Sequence, residues 1–108
     1  MGMLFQVREF TGDGRSDFGD WLDRLDSVTA ARVDRYIRRM EAGNFGASKP
    51  VGGGVMELPM DFGPGYRVYY GRDGKALVVL LGGGDKRRQS ADIAAAIERW
   101  QRYKKAKV

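Results

Sequence analysis

The chain has 108 residues, with 19 Lys and Arg against 14 Asp and Glu, a formal net charge of +5, and neither cysteine nor histidine. This length predicts a single domain, residues 1–108, that buries roughly 60 to 70% of its unfolded surface. The absence of cysteine and histidine excludes disulfides, thiolate chemistry, and proton transfer or zinc binding by histidine. We expect no metal ion or other cofactor. The positive charge favours an anionic partner, either nucleic acid or an acidic protein segment.

The N-terminal part predicts one strand and two helices. Residues 4–10 alternate apolar and polar side chains, which is typical of a half-buried strand. Ser16 is placed to cap a helix whose apolar residues have helical spacing, namely Phe18, Trp21, Leu22 and Leu25. Ser27 is placed to cap a second helix that ends near Gly43 and whose buried face would be Val33, Ile37 and Met40. The two helices predict an αα-hairpin.

The C-terminal part predicts three strands and one helix. Residues 44–54 are rich in glycine and contain Lys49-Pro50, which is typical of a surface loop. Turn residues then separate three predicted strands, at residues 55–60, 66–72 and 75–81. We expect the sheet to stop at Gly82-Gly-Gly84 and the last helix to begin at Gln89 or Ser90, with a frayed tail at residues 104–107.

This order of elements predicts an α+β fold. We expect a twisted, mainly antiparallel, four-stranded sheet with the αα-hairpin on one face and the C-terminal helix beside it. No apolar run is long enough to span a bilayer, and Met1-Gly-Met-Leu lacks the basic and apolar regions of a signal peptide. We therefore expect a cytoplasmic protein that does not contact a membrane.

Two groups of cations are candidates for a phosphate site. In the strand at residues 66–72, Arg67 and Tyr69 share one face, and if the other face packs under the helices, the Arg67 guanidinium is free to bind a phosphate bidentately. Tyr69 is then a candidate for stacking on a base. After the glycine run, cations stand at a helix start where backbone N–H groups favour an anion, namely Lys86, Arg87 and Arg88. From spacing alone, solvated surface charges explain both groups equally well.

The chain also resembles a known family in several motifs that occur in the same order. They are Gly43-Asn-Phe-Gly, Lys49-Pro-Val-Gly, Gly63-Pro-Gly-Tyr-Arg-Val-Tyr and Gly-Gly-Asp-Lys, followed by Gln89 and Asp92-Ile93. The family is that of the addiction-module killer proteins, the Gp49-like branch of the RelE/ParE toxin superfamily. The resemblance runs from about residue 42 to the C terminus and implies the same α+β fold.

The resemblance implies the toxin of a type II toxin–antitoxin system, a metal-independent endoribonuclease that cleaves messenger RNA at the ribosome. Arg67 would stabilise the cleaved phosphate, and Lys86 would act as acid, base or charge stabiliser. The RNA backbone would be held by Lys49, Arg72, Arg87 and Arg88. The implied partner is a cognate antitoxin, a small helix-turn-helix protein. The alternatives are a ParE-like inhibitor of a protein target such as DNA gyrase, or a catalytically degenerate module that binds RNA or the antitoxin.

The chain departs from the family at one position. Family members usually carry Glu-Leu-Arg-Ile where this chain has Glu57-Leu58-Pro59-Met60. Pro59 removes a cation from the sheet and an N–H from the strand ladder, which suits only an edge position or a bulge. We therefore predict weaker phosphate binding than in a family member that carries the arginine.

Overall fold

A mixed β-sheet organises residues 4–107, the part of the chain that this computed structural model describes. Its five strands are β1 (Gln6–Glu9), β2 (Lys49–Gly52), β3 (Val55–Pro59), β4 (Arg67–Asp73) and β5 (Leu77–Gly84). The spatial order is β1-β5-β4-β3-β2, in which β1 runs parallel to β5 and the other neighbours are antiparallel. The predicted four-stranded antiparallel sheet is therefore wrong, because the sheet has five strands and is mixed.

The additional strand is β2, which lies in the segment predicted to be a loop. It pairs antiparallel with β3, with Lys49 opposite Glu57 and an irregularity between Pro50 and Gly52. Proline and glycine are tolerated there because β2 is an edge strand, which needs backbone hydrogen bonds on one side only. Because β2 contains proline and glycine, which are typical of turns, the sequence pattern predicts a loop here instead of a strand.

Strand β5 continues through the glycine run that was expected to end the sheet. The run pairs in register with the start of β4, as Gly82 opposite Tyr69, Gly83 opposite Val68 and Gly84 opposite Arg67. A Cβ on Gly83 would overlap the ring of Trp21, so the missing side chain allows close packing by a helix. The glycines are therefore part of the sheet, and they bring the residues that follow them next to the β3–β4 loop.

Within residues 4–107, three α-helices pack on the sheet: α1 (Asp17–Asp23), α2 (Ser27–Glu41) and α3 (Gln89–Lys107). Ser16 caps α1 as predicted, since its Oγ accepts a hydrogen bond from the Gly19 N–H at 2.9 Å. The N-cap of α2 is Asp26, one residue before the predicted Ser27. Helix α3 follows a short 3-10 turn and extends to Lys107, through the tail that was expected to fray.

The helices cover both faces of the sheet, which corrects the expected placement of the last helix. Helices α1 and α2 pack on one face in a cluster that contains Trp21, Val33, Ile37, Met40, Val68 and Tyr70. Helix α3 packs on the other face in a cluster that contains Val55, Tyr69, Leu81, Ala96 and Trp100. The predicted alternation of β4 is confirmed, but the face that carries Arg67 and Tyr69 is not open along its length.

None of the helices between residues 4 and 107 has the length and apolar character needed to cross a bilayer.

Candidate functional site

The candidate site is built around a buried carboxylate on β3. The side chain of Glu57 is 0% exposed and lies on the face of the sheet that α3 covers. Its Oε2 accepts a hydrogen bond from Gln89 Nε2 at 2.8 Å and lies 3.5 Å from Arg67 Nε. Its Oε1 lies 3.7 Å from Lys49 Nζ. Because an unpaired buried carboxylate is strongly disfavoured, these two cations and the amide offset the cost of burying Glu57.

Arg67 connects this carboxylate to the β3–β4 loop. Its Nη1 donates to the carbonyl oxygen of Gly65 at 2.6 Å, and its side chain is 15% exposed. Its Nε has no hydrogen-bond partner within residues 4–107, although Glu57 lies nearby. The guanidinium is thus held on two sides while Nη2 makes no hydrogen bond within the same residues, which leaves a donor for a ligand.

Lys86 approaches the same loop from the end of β5. Its N–H donates to the carbonyl oxygen of Pro64 at 3.4 Å, and its side chain is exposed. A Cβ on Gly65 would lie 3.1 Å from Arg67 Nη1 and 3.3 Å from Lys86 Cβ, so both residues lie close to the same side of this glycine. Gly65 also has a φ of +81°, which side chains disfavour. The glycine therefore permits both the turn and the close approach of the two residues.

Tyr69 is part of this cluster but is inaccessible. Its side chain is 0% exposed, and its hydroxyl has no hydrogen-bond partner in the described part of the chain. Burial, and then the nearby Glu57 carboxylate, raise the pKa of Tyr69 above its ordinary value. Since α3 covers the ring, Tyr69 does not stack on a base, which corrects its predicted role.

Two of the predicted RNA-binding arginines are held elsewhere. Arg72 lies on the opposite face of β4 from Arg67, where its guanidinium is 5.0 Å from the ring centre of Phe5 and 4.7 Å from that of Phe45. Arg87 turns back onto Asp85, with 3.1 Å between Nη2 and Oδ2. Neither is directed into the cluster at Glu57.

Arg88 faces a separate cleft of about 330 Å³ between α1, the end of β5 and the start of α3. Neither Arg67 nor Lys86 lines this cleft. Its walls carry arginines and aspartates, four of which form two ion pairs, Arg99 with Asp17 at 3.0 Å and Arg15 with Asp20 at 2.6 Å. The structure thus brings together Lys49, Arg67 and Lys86 and separates them from Arg72, Arg87 and Arg88.

Pro59 occupies a position in β3 where its missing N–H removes no ladder hydrogen bond. The Met60 N–H donates to the carbonyl oxygen of Tyr66 at 2.9 Å, so the preceding backbone nitrogen faces away from β4. Strand β2 pairs with β3 only as far as Glu57, so no strand lies beside that nitrogen. Pro59 lies opposite Arg67, and an arginine at this position would add a cation next to it.

Sequence reasoning missed Glu57 and gave Gln89 no role. The available signal was strand parity, because Val55, Glu57 and Pro59 share the face that carries Arg67. A glutamate between inward-facing residues of a strand requires a partner, and the arginine of the next strand supplies one.

In residues 4–107 no group of three or more acidic side chains is arranged to hold a metal ion. The cluster is therefore suited to hold an anion through its cations and to orient those cations through Glu57.

No protein-family model matches the chain. An uncharacterized protein of Haemophilus influenzae is 45% identical to it over 80 residues, which are 73% of this chain and 81% of that protein. This identity extends over most of both chains, and the chain therefore belongs to the same protein family as the Haemophilus protein.

Proposed function

We propose that this chain is the toxin of a type II toxin–antitoxin system and that it cleaves messenger RNA in the cytoplasm without a metal ion. The observation that carries the proposal is the approach of Arg67 and Lys86 to each other at Gly65. Arg67 lies at the edge of the face that α3 covers, next to the buried carboxylate of Glu57, and Lys86 reaches the same β3–β4 loop through Pro64 and Gly65. The motif resemblance to addiction-module killer proteins supports the same proposal.

The chemistry that this arrangement can support is attack of a 2′-hydroxyl on the adjacent phosphorus. The 2′-oxygen loses its proton and bonds to phosphorus, the bond to the 5′-oxygen breaks, and that oxygen takes up a proton. The products are a 2′,3′-cyclic phosphate and a 5′-hydroxyl. Arg67 would bind the phosphate oxygens as negative charge develops, and Lys86 would exchange a proton with one of the two reacting oxygens.

The partly buried position of Arg67 favours this role. Low local dielectric strengthens the attraction between a guanidinium and a phosphate. The bond to Gly65 and the contact with Glu57 fix the guanidinium before substrate binds, so little reorganisation is needed during the reaction. Lys49, 59% exposed and on the other side of Glu57, is available to bind a neighbouring phosphate. RNA on the ribosome and an antitoxin of the small helix-turn-helix type are the proposed partners.

Cleavage of messenger RNA by the purified chain, with and without ribosomes, tests the proposal. Arg67→Ala is expected to reduce the cleavage rate by an amount equivalent to about 2 to 4 kcal/mol of barrier stabilisation and to relieve growth arrest in cells. Arg72→Ala is the matched control, since it removes a cation of the same strand from the opposite face. Equal cleavage by both variants would refute the assignment of Arg67.

One observation favours a second candidate, a module that binds RNA or the antitoxin without turnover. Glu57 contacts Lys49 and Arg67, two of the three cations of the cluster. Pro59 stands where the resembled family usually carries an arginine, so less positive charge is left to stabilise the transition state of phosphate cleavage. This candidate predicts RNA binding with no cleavage in the same assay. Growth arrest with intact messages and inhibited DNA gyrase would instead identify a ParE-like inhibitor.

A further inference from the structure

A row of aromatic rings and arginines lies on the outer side of α2, away from the Glu57 cluster. The guanidinium of Arg32 is 4.1 Å from the ring centre of Phe62, and that of Arg39 is 4.8 Å from the ring centre of Tyr36. The Tyr36 and Phe62 rings stack with 6.1 Å between their centres, and Phe62 lies 5.3 Å from Tyr66. The row therefore connects the surface of α2 to the β3–β4 loop.

The arginines of this row are available to a ligand. Arg32, Arg35 and Arg39 lie on one side of α2, at successive separations of about 4.5 and 6 Å along the helix axis, and all are exposed. They form no ion pair within residues 4–107. The neighbouring Arg38 differs, because it pairs with Asp34 at 3.2 Å and Glu41 at 2.8 Å. We call Arg32, Arg35 and Arg39, with Tyr36 and Phe62, the arginine face.

The arginine face is continuous with the candidate site through the β3–β4 loop. Phe62 and Tyr66 stand at the two ends of residues 63–65, and Gly65 lies close to Arg67 and Lys86. A ligand held at Arg67 and Lys86 can therefore cross the loop and continue over α2. A ligand that contacts both surfaces must be extended, flexible and anionic.

We propose that the arginine face binds the single-stranded RNA that flanks a phosphate held at Arg67 and Lys86. This inference rests on the proposed function. The guanidinium groups of Arg32 and Arg39 lie over aromatic rings, and a guanidinium held over a ring keeps N–H donors for phosphate oxygens while the rings around it offer stacking surfaces for bases. An acidic peptide would satisfy the charge but makes no use of the stacked planes, so the rings favour RNA.

Fluorescence anisotropy with labelled RNA tests the inference. The probes are oligomers of about 4 and about 20 nucleotides whose 2′-hydroxyls are methylated, so that they bind without being cleaved. The test variant is Arg32→Gln with Arg35→Gln. Arg38→Gln is the matched control, because it is on the same helix and removes an arginine that is already paired. Thermal unfolding of each variant verifies that the exposed substitutions leave the fold intact.

We expect the double variant to bind the long oligomer on the order of tenfold more weakly than the wild type. The slope of log affinity against log salt concentration should fall by about 0.7 for each phosphate that the variant no longer neutralises. The short oligomer, which reaches only the candidate site, should bind equally to all variants. A double variant that binds the long oligomer as tightly as Arg38→Gln overturns the inference.

Two further outcomes separate this inference from the proposed function. If the double variant loses affinity for the long oligomer but the wild type cleaves no natural RNA, the arginine face stands and the nuclease proposal fails. If the wild type cleaves RNA while the double variant loses affinity only for a polyglutamate peptide, the face docks an acidic protein and the RNA assignment is overturned.

Discussion

Replacing Glu57 by glutamine is expected to destabilise the fold, because the amide keeps the shape of the side chain but removes its charge. Breaking a fully buried ion pair costs about 3 to 5 kcal/mol. The cost should be smaller here, since the contacts to Arg67 and Lys49 are 3.5 and 3.7 Å long and Lys49 is 59% exposed. We expect about 1 to 3 kcal/mol, and a loss of about 2 kcal/mol lowers Tm by roughly 10 °C in a domain of this size.

Urea and thermal unfolding followed by circular dichroism measure this loss. Glu41→Gln is the matched control, because it removes a carboxylate that accepts from Arg38 at 2.8 Å but lies at the surface. A surface ion pair contributes at most about 1 kcal/mol. If Glu57→Gln costs no more free energy of unfolding than Glu41→Gln, the buried carboxylate does not hold the cluster together as argued.

The same substitution should separate RNA binding from turnover under the proposed function. Loss of the negative charge leaves Lys49 and Arg67 uncompensated, so RNA should bind more tightly and KM should fall. Arg67 would also lose one of the two contacts that orient it and keep only the bond to Gly65, and misplacement of a phosphate-binding group lowers kcat by on the order of tenfold to a hundredfold. Steady-state and single-turnover cleavage measure the two effects. An unchanged kcat would show that Glu57 does not position Arg67.

Three further substitutions test other parts of the structure. Gly83→Ala should cost about 1 to 3 kcal/mol of unfolding free energy in urea, because its Cβ overlaps the ring of Trp21. Burial raises the pKa of Asp92, so the folded state keeps that proton to higher pH than the unfolded state and stability falls as pH rises. Asp92→Asn should therefore have a higher Tm than the wild type at about pH 7 and an equal one at about pH 3. Pro59→Arg should tighten binding of short RNA measured by anisotropy, because it adds a cation opposite Arg67 without disturbing a ladder hydrogen bond.

The sequence was sufficient to predict which side chains of β4 share a face of the sheet. It was not sufficient to predict which helices pack on each face. Alternation along a strand is a local property, so Arg67 and Tyr69 were assigned correctly to one face. The apolar stripe of α3 predicts that the helix packs on something, but it does not say which face of the sheet receives it. Tyr69 was therefore taken as exposed, although α3 covers it.

The errors at β2 and at the end of β5 have a common physical cause. Glycine and proline are read as turn residues because of their backbone preferences, but an edge strand tolerates both. In β5 the glycines are needed because bulky neighbours leave no room for a side chain. At Gly83, for example, a Cβ would overlap the Trp21 ring. This need can be recognised only when the positions of the helices are known. Composition alone therefore undercounted the strands.

The location of the candidate site follows from where the cover of α3 ends. Gln89, the first residue of α3, donates to Glu57, so the helix begins directly above this carboxylate. The strands continue past that point to Pro59 and Arg67, which lie opposite one another. Arg67 is consequently 15% exposed, with its inner side held by protein and its outer side at the surface. A cation at such a boundary keeps a fixed orientation and a partly desolvated charge. Both properties make it a better phosphate ligand than an arginine whose side chain is freely solvated.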